Sequence, residues 1–176
     1  MLQLWDLYRR HPGVTRALGR SYCEAASVCL EKFHTRPKAS EIVVDGAQRT
    51  VPLDWRPANR RRIRAAFANA TDATRDGAYA VALAAVDFAY GWVAVRRAET
   101  LSGADYYLAT VNEHGSELED AIRLEVSGTL SGRNVVKRRV ADKRHQLLRG
   151  TSNLPGLAAV VSFKDAVIEM QMVHHT

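Results

Sequence analysis

The chain has 176 residues, 47% of them hydrophobic and 25% charged, with a net charge of +6 and a pI near 9.6. That apolar share excludes global disorder, and the length suits one domain with a core of its own. The basic excess favours an anionic partner, nucleic acid before any other.

The opening MLQLWDLYRRHPGV lacks a basic start followed by an apolar run, so no secretory leader is expected and the protein is placed in the cytoplasm. Residues 1 to 35 read as helical, with Tyr22, Ala25, Ala26, Cys29, Leu30 and Phe33 on one side. Cys23 and Cys29 are spaced i,i+6 on different faces of that helix and are expected as reduced thiols. Pro37 ends the helix. SEIVVDGAQRTVPLDW then reads as a β-hairpin turning at Asp45-Gly46. After Pro57, NRRRIRAAFANAT reads as a short basic helix or loop-helix.

DGAYAVALAAVDFAYG is a buried helix of about four turns capped by Gly91, and its Asp87 and alanine content argue against a membrane span. WVAVRRAE is a strand, TLSG a turn, ADYYLATV a second strand, NEHGSELED a polar loop and AIRLEVSGT a third strand. GRNVVKRRVADKRHQLLRG is an amphipathic helix, apolar at Val136, Val140 and Leu147 and basic elsewhere, ended by Gly150. LAAVVSF and AVIEMQMV are the last strands. Hairpin-linked strands followed by a helical crossover imply an α/β fold, a mixed central sheet flanked by helices. Residues 1–70 are expected to form an N-terminal helix and β-hairpin extension and residues 71–176 the α/β core, together one compact domain.

Asp105 opens the second of these strands and Glu125 lies within the third. If the two strands pair antiparallel, their carboxylates converge at one end of the sheet. Such a pair, completed by a backbone carbonyl and phosphate oxygens, suits an octahedral all-oxygen Mg2+ site. The plainer alternatives are an aspartate capping the LSG turn and a strand glutamate paired with Arg123 or Arg97. A carboxylate between Leu124 and Val126 is uncommon enough to favour a site.

The element order and the segments SGADYYL and RLEVSG resemble the PD-(D/E)xK nuclease superfamily, with its restriction-endonuclease-like αβββαβ core, over roughly residues 74 to 173. The same segments are similar to uncharacterised bacterial proteins with a GxDYWL…ARLEVSG pattern. The resemblance implies that Asp105 and Glu125 hold Mg2+ or Mn2+ for phosphodiester hydrolysis. Ala104 stands at the proline position. Ser127 stands where the family has a lysine, and a serine orients water without supplying positive charge. The resemblance allows the basic residue to lie on the following helix, where Lys143, sharing a face with Gln146, is the first candidate and Lys137 the second; the plainer alternative for Lys143 is a solvated or phosphate-contacting lysine. Asp87 is expected behind the metal ligands, with Asp76 a lesser option.

Two basic clusters are expected to bind phosphates: Arg60, Arg61 and Arg62, and Arg133, Lys137, Arg138, Arg139, Lys143 and Arg144. The leading expectation is therefore a nuclease acting on nucleic acid, DNA before RNA, in bacterial defence or DNA processing, with no membrane partner. The alternative is a non-catalytic nucleic-acid-binding or assembly subunit on the same fold. The N-terminal region is open as a lid, a partner-protein surface or a homodimer interface. His114 and His145 have no HxxxH partner, and His174 and His175 read as a frayed tail. There is no zinc spacing, P-loop, dinucleotide fingerprint or nucleophile elbow.

Overall fold

The computed structural model describes residues 1–110, 118 and 120–174. The polar loop expected over 112–120, His114 included, lies outside them apart from Leu118 and Asp120, as does His175. The chain runs β1 (Leu2–Gln3), α1 (Leu7–Arg10), α2 (Arg16–Leu30), β2 (Lys38–Val44), β3 (Ala47–Asp54), α3 (Arg61–Ala66) and α4 (Ala70–Tyr90). It continues through β4 (Trp92–Arg97), β5 (Tyr106–Thr110), β6 (Ile122–Thr129), α5 (Arg133–Arg149), β7 (Gly156–Ser162) and β8 (Val167–Val173). The fold is mixed α/β, with the strands in one eight-stranded sheet of order β1-β3-β2-β8-β7-β6-β5-β4.

β4, β5 and β6 pair antiparallel, and α5 carries the chain over to β7, parallel to β6. The hairpin expected as an extension instead continues the same sheet, because β2 pairs in parallel with β8. Its turn is the two-residue Asp45-Gly46 connection, both residues at positive φ as a tight hairpin requires.

Alternation along β7 separates the two faces. Leu157, Ala159 and Val161 join the main core with α4 and α2, while Ala158 and Val160 pack under Leu147, Val136 and Val140 of α5. Helices therefore cover both faces, and β7 is buried on each. α4 and α2 approach closely through small residues: a Cβ on Gly77 would sit 2.8 Å from the Ala26 nitrogen.

The first 35 residues are not one helix. β1 pairs with β3, and α2 begins only where Thr15 accepts a cap from the Leu18 amide. Between them, the Gly13 amide donates to Ala94 O (2.8 Å) and the Ala94 amide donates to His11 Nδ1 (3.1 Å), covering the outer edge of β4. Gly13 permits this contact, since a Cβ there would lie 2.6 Å from the Arg96 nitrogen. α4 starts six residues earlier than its apolar stretch, where the Asn69 side chain caps the Thr71 and Asp72 amides. Its first turns, ATDATRD, are mostly polar, so apolar periodicity could not mark them. Among the described residues no helix is long and apolar enough to cross a membrane.

Candidate functional site

β5 and β6 bring Asp105 and Glu125 together. The last paired residues are Tyr106 and Leu124, and Asp105 lies just beyond them at the end of β5, beside Glu125. Peptide groups on either side of Glu125 hold Asp105 there. The Asp105 amide donates to Leu124 O (2.7 Å), and the Val126 amide donates to Asp105 Oδ2 (2.8 Å). The other carboxylate oxygen, Oδ1, accepts from the Tyr79 hydroxyl of α4 (2.6 Å). Burial, and then the Asp105 charge, hold the Tyr79 phenol above its ordinary pKa, so it remains a donor.

Glu125 points to the α5 face of β6, as its register with Ala158 requires. Its side chain is 5% exposed and accepts at Oε1 from Lys143 Nζ at 2.6 Å. Lys143 also donates to Gln146 Oε1 (3.0 Å). Burial, then the Asp105 charge, push the Glu125 carboxyl up to about 7, with Lys143 opposing. Two carboxyls thus share one desolvated place with one ammonium between them and α5.

Ser127, two residues on, lies on the same face. Arg139 Nη1 donates to Ser127 Oγ (3.1 Å) and to Gly128 O (2.7 Å). α5 thus brings two cations to this face, Lys143 on Glu125 and Arg139 on Ser127, one helical turn apart. Sequence alone puts Arg139 among the phosphate binders and does not connect it with Ser127. The i,i+4 spacing of Arg139 and Lys143 is the signal that could have done so.

These groups line a cleft of about 500 Å3, which Arg75 and Thr71 at the start of α4 also border. Asp105 borders a second, wider cleft of about 990 Å3 between the β4–β5 turn and the end of α5, with Arg97, Gln146 and Arg149. Arg97 was expected only as a partner for Glu125. It lies beside Asp105 instead, 3.8 Å from Oδ1. Arg123 is buried and donates to Leu154 O, Ser102 O and Leu147 O. The charge partner of Glu125 on α5 is thus neither of the two arginines weighed from sequence.

Asp87 lies away from the site. It pairs with Arg10 at 2.7 Å, eight residues beyond Tyr79 and so roughly 12 Å further along α4. Asp76 bonds Arg75. Arg133, at the start of α5, is held by Glu41 at 2.6 Å, while Lys137, Arg138 and Arg144 are exposed along the helix. Arg60, Arg61 and Arg62 are exposed around the start of α3. Arg60 borders a separate cleft of about 360 Å3 with Trp5, Tyr8 and Arg16, which shares no residue with the Asp105–Glu125 cleft.

Among the described residues no group of three His, Cys, Asp or Glu side chains forms around the pair. Two carboxylates nevertheless fit a Mg2+-type ion, which keeps several waters and takes its remaining oxygens from phosphate. A carboxylate offers about four lone-pair sites, and the bonds named above use one on Glu125 and two on Asp105. Burial first and the Asp105 charge second raise the Glu125 pKa, and a dication relieves the second of these. No protein-family model, curated protein or solved structure matches the chain.

Proposed function

We propose that this protein hydrolyses phosphodiester bonds in nucleic acid, DNA before RNA, with a divalent metal held by Asp105 and Glu125. The observation that carries the reading is the half-buried Asp105 beside the buried Glu125, with Lys143 Nζ 2.6 Å from Glu125. The run α4–β4–β5–β6–α5–β7 supports it, being the αβββαβ order that the resemblance to PD-(D/E)xK nucleases implies.

When bound, Mg2+ or Mn2+ would polarise a phosphoryl oxygen and acidify a coordinated water. The chain's own residues supply the rest. Tyr79 and the Val126 amide fix the Asp105 carboxylate, so its geometry is set before substrate arrives. Lys143 opposes the burial that favours the protonated Glu125 and stands as a proton donor beside it. Arg139, tied to Ser127 and Gly128 O, places a second fixed charge on the same side, where negative charge develops on phosphate.

The test is Mg2+- or Mn2+-dependent cleavage of plasmid and single-stranded DNA. Asp105→Ala and Glu125→Ala should each abolish it, and Lys143→Ala should lower it by about 10²-fold or more. No cleavage by the wild type in either metal overturns the hydrolytic reading.

One feature favours a second reading, a nucleic-acid-binding protein that does not cut. Both Asp105 oxygens already accept hydrogen bonds and Glu125 is already ion-paired, so the pair is stable without an ion. Salt-dependent DNA binding with no cleavage in Mg2+ or Mn2+ would select this reading.

A further inference from the structure

Arg97 differs from the other cations around the two clefts in how firmly it is held. Its guanidinium stacks over the rings of Tyr79 and Tyr106, 4.7 Å from each centroid. Nη1 donates to the Tyr22 hydroxyl (3.1 Å) and Nη2 to the Tyr79 hydroxyl (3.2 Å). The Tyr22 and Tyr106 hydroxyls are themselves 3.0 Å apart. Three phenols from α2, α4 and β5 thus fix one arginine of β4.

That frame exceeds what neutralising Asp105 requires. The ion pair is long at 3.8 Å, and Asp105 Oδ1 already has a short bond from Tyr79. The guanidinium carries five N–H donors, of which the phenols take two. The side chain stays 49% exposed and borders the wider cleft, with Arg149 also on its wall. An arginine fixed on one side and open on the other loses little further entropy when it binds an anion. Asp105 borders both clefts, so a strand lying over the acidic pair passes Arg97 on its way into the wider one.

We propose that Arg97 is a phosphate anchor for a nucleic-acid strand running from the Asp105–Glu125 cleft into the β4–β5 cleft, gripping a phosphate next to the one at the acidic pair. This rests on the reading that the site takes nucleic acid, and it holds whether or not the strand is cut. Tyr22 is a positioning residue, acting through Arg97.

The experiment measures binding of fluorescently labelled single- and double-stranded oligonucleotides in EDTA, from 25 to 200 mM salt, beside a cleavage assay in Mg2+. Arg97→Gln should bind about tenfold more weakly at low salt. Its plot of log K against log salt should be shallower by about 0.7 for single strands or 0.9 for duplex, the loss of one phosphate contact. Arg97→Lys should keep the slope but bind several-fold more weakly, lacking the planar fork. Tyr22→Phe should keep the slope with a small loss of affinity, while Arg61→Gln leaves the effect of Arg97→Gln unchanged when the two are combined. Wild-type and Arg97→Gln isotherms that superimpose at every salt overturn the anchor while leaving the hydrolytic reading intact. So does weaker binding with an unchanged slope, which marks a structural role. If Arg97→Gln fails to show a cooperative urea transition, Arg97→Lys decides: affinity equal to wild type overturns the anchor. Wild-type protein that binds neither oligonucleotide at 25 mM salt overturns both proposals. Binding with the expected Arg97 effect but no cleavage supports the anchor and removes hydrolysis alone.

Discussion

Helices α4 and α5 lie on opposite faces of the same strands and are held there in opposite ways. α4 is buried without break from Gly77 to Val86 and packs as a dry alanine-rich rod between the sheet and α2. α5 buries only Val136, Val140 and Leu147 along its seventeen residues. What ties α5 down is polar: Arg133 to Glu41, Arg139 to Ser127 and Gly128 O, and Lys143 to Glu125. The difference separates tasks. α4 supplies the rigid wall from which Tyr79 fixes Asp105, and α5 supplies the cations, whose bonds a bound anion or metal can rearrange at modest cost.

The largest effect should come from the dry side. Gly77→Val forces a side chain into the α2 backbone and should cost about 3 kcal/mol or more, read as a lowered urea midpoint or loss of the cooperative transition. A wild-type midpoint would mean the α2–α4 contact is looser than the packing implies. Next is Lys143→Met, which strands a buried carboxylate. It should cost about 3 kcal/mol at pH 8 and clearly less at pH 5.5, where Glu125 is protonated. An equal loss at both pH values would place the effect in packing.

Glu125→Gln gives a pH-dependent change. The folded carboxyl titrates near 7, above its free value of 4.5, so the folded state binds the extra proton between them. The stability this contributes is full below about 4.5 and is lost as pH rises through 7, on the order of 3 kcal/mol. The difference in unfolding free energy between wild type and Glu125→Gln should therefore shrink or reverse across that window. His11 works in the other direction: burial depresses its folded pKa to about 4, so its contribution is present above 6.5 and lost as pH falls through 4. It is common to both proteins and cancels in the difference. A flat difference curve would mean that Glu125 titrates normally. Smallest of all, Arg138→Ala and Arg144→Ala should change stability by no more than about 0.5 kcal/mol, because both side chains lie on the exposed side of α5. A larger loss would mean that the solvent side of α5 also contributes to holding it.

The legible parts of this molecule were those whose signals are local. Asp45-Gly46 between two apolar runs announced the hairpin, and the alternation around Glu125 and the basic pattern after Gly132 announced β6 and α5. Asp105 and Glu125 could be brought together from sequence because they sit on successive strands that pair antiparallel. Lys143 could be named because the resemblance to PD-(D/E)xK nucleases points to a basic residue on the helix after β6, and in the structure it bonds Glu125. Tyr79 and Tyr22 left no such trace. They meet Asp105 and Arg97 across separations of 26 and 75 residues, and in the sequence each is one more aromatic residue on a core helix. Asp87 misled because an acid within an apolar run suggests a site, whereas an ion pair with Arg10 satisfies it equally well. β1 was invisible for a different reason: two residues are too few for any periodicity, and only the neighbouring β3 makes them a strand.

The bonds made by residues 2 to 13 have a mechanical consequence. Leu2 and Gln3 zip onto β3 at one end of the strand order, and ten residues later His11 and Gly13 grip Ala94 of β4 at the other. Seven strand spacings laid flat would cover roughly 34 Å. A ten-residue segment that includes a helical turn falls short of that, so the sheet must bend its two margins toward each other. The segment is a buckle on a hoop. Releasing it would expose two strand margins at once, and each is a template for pairing with another chain.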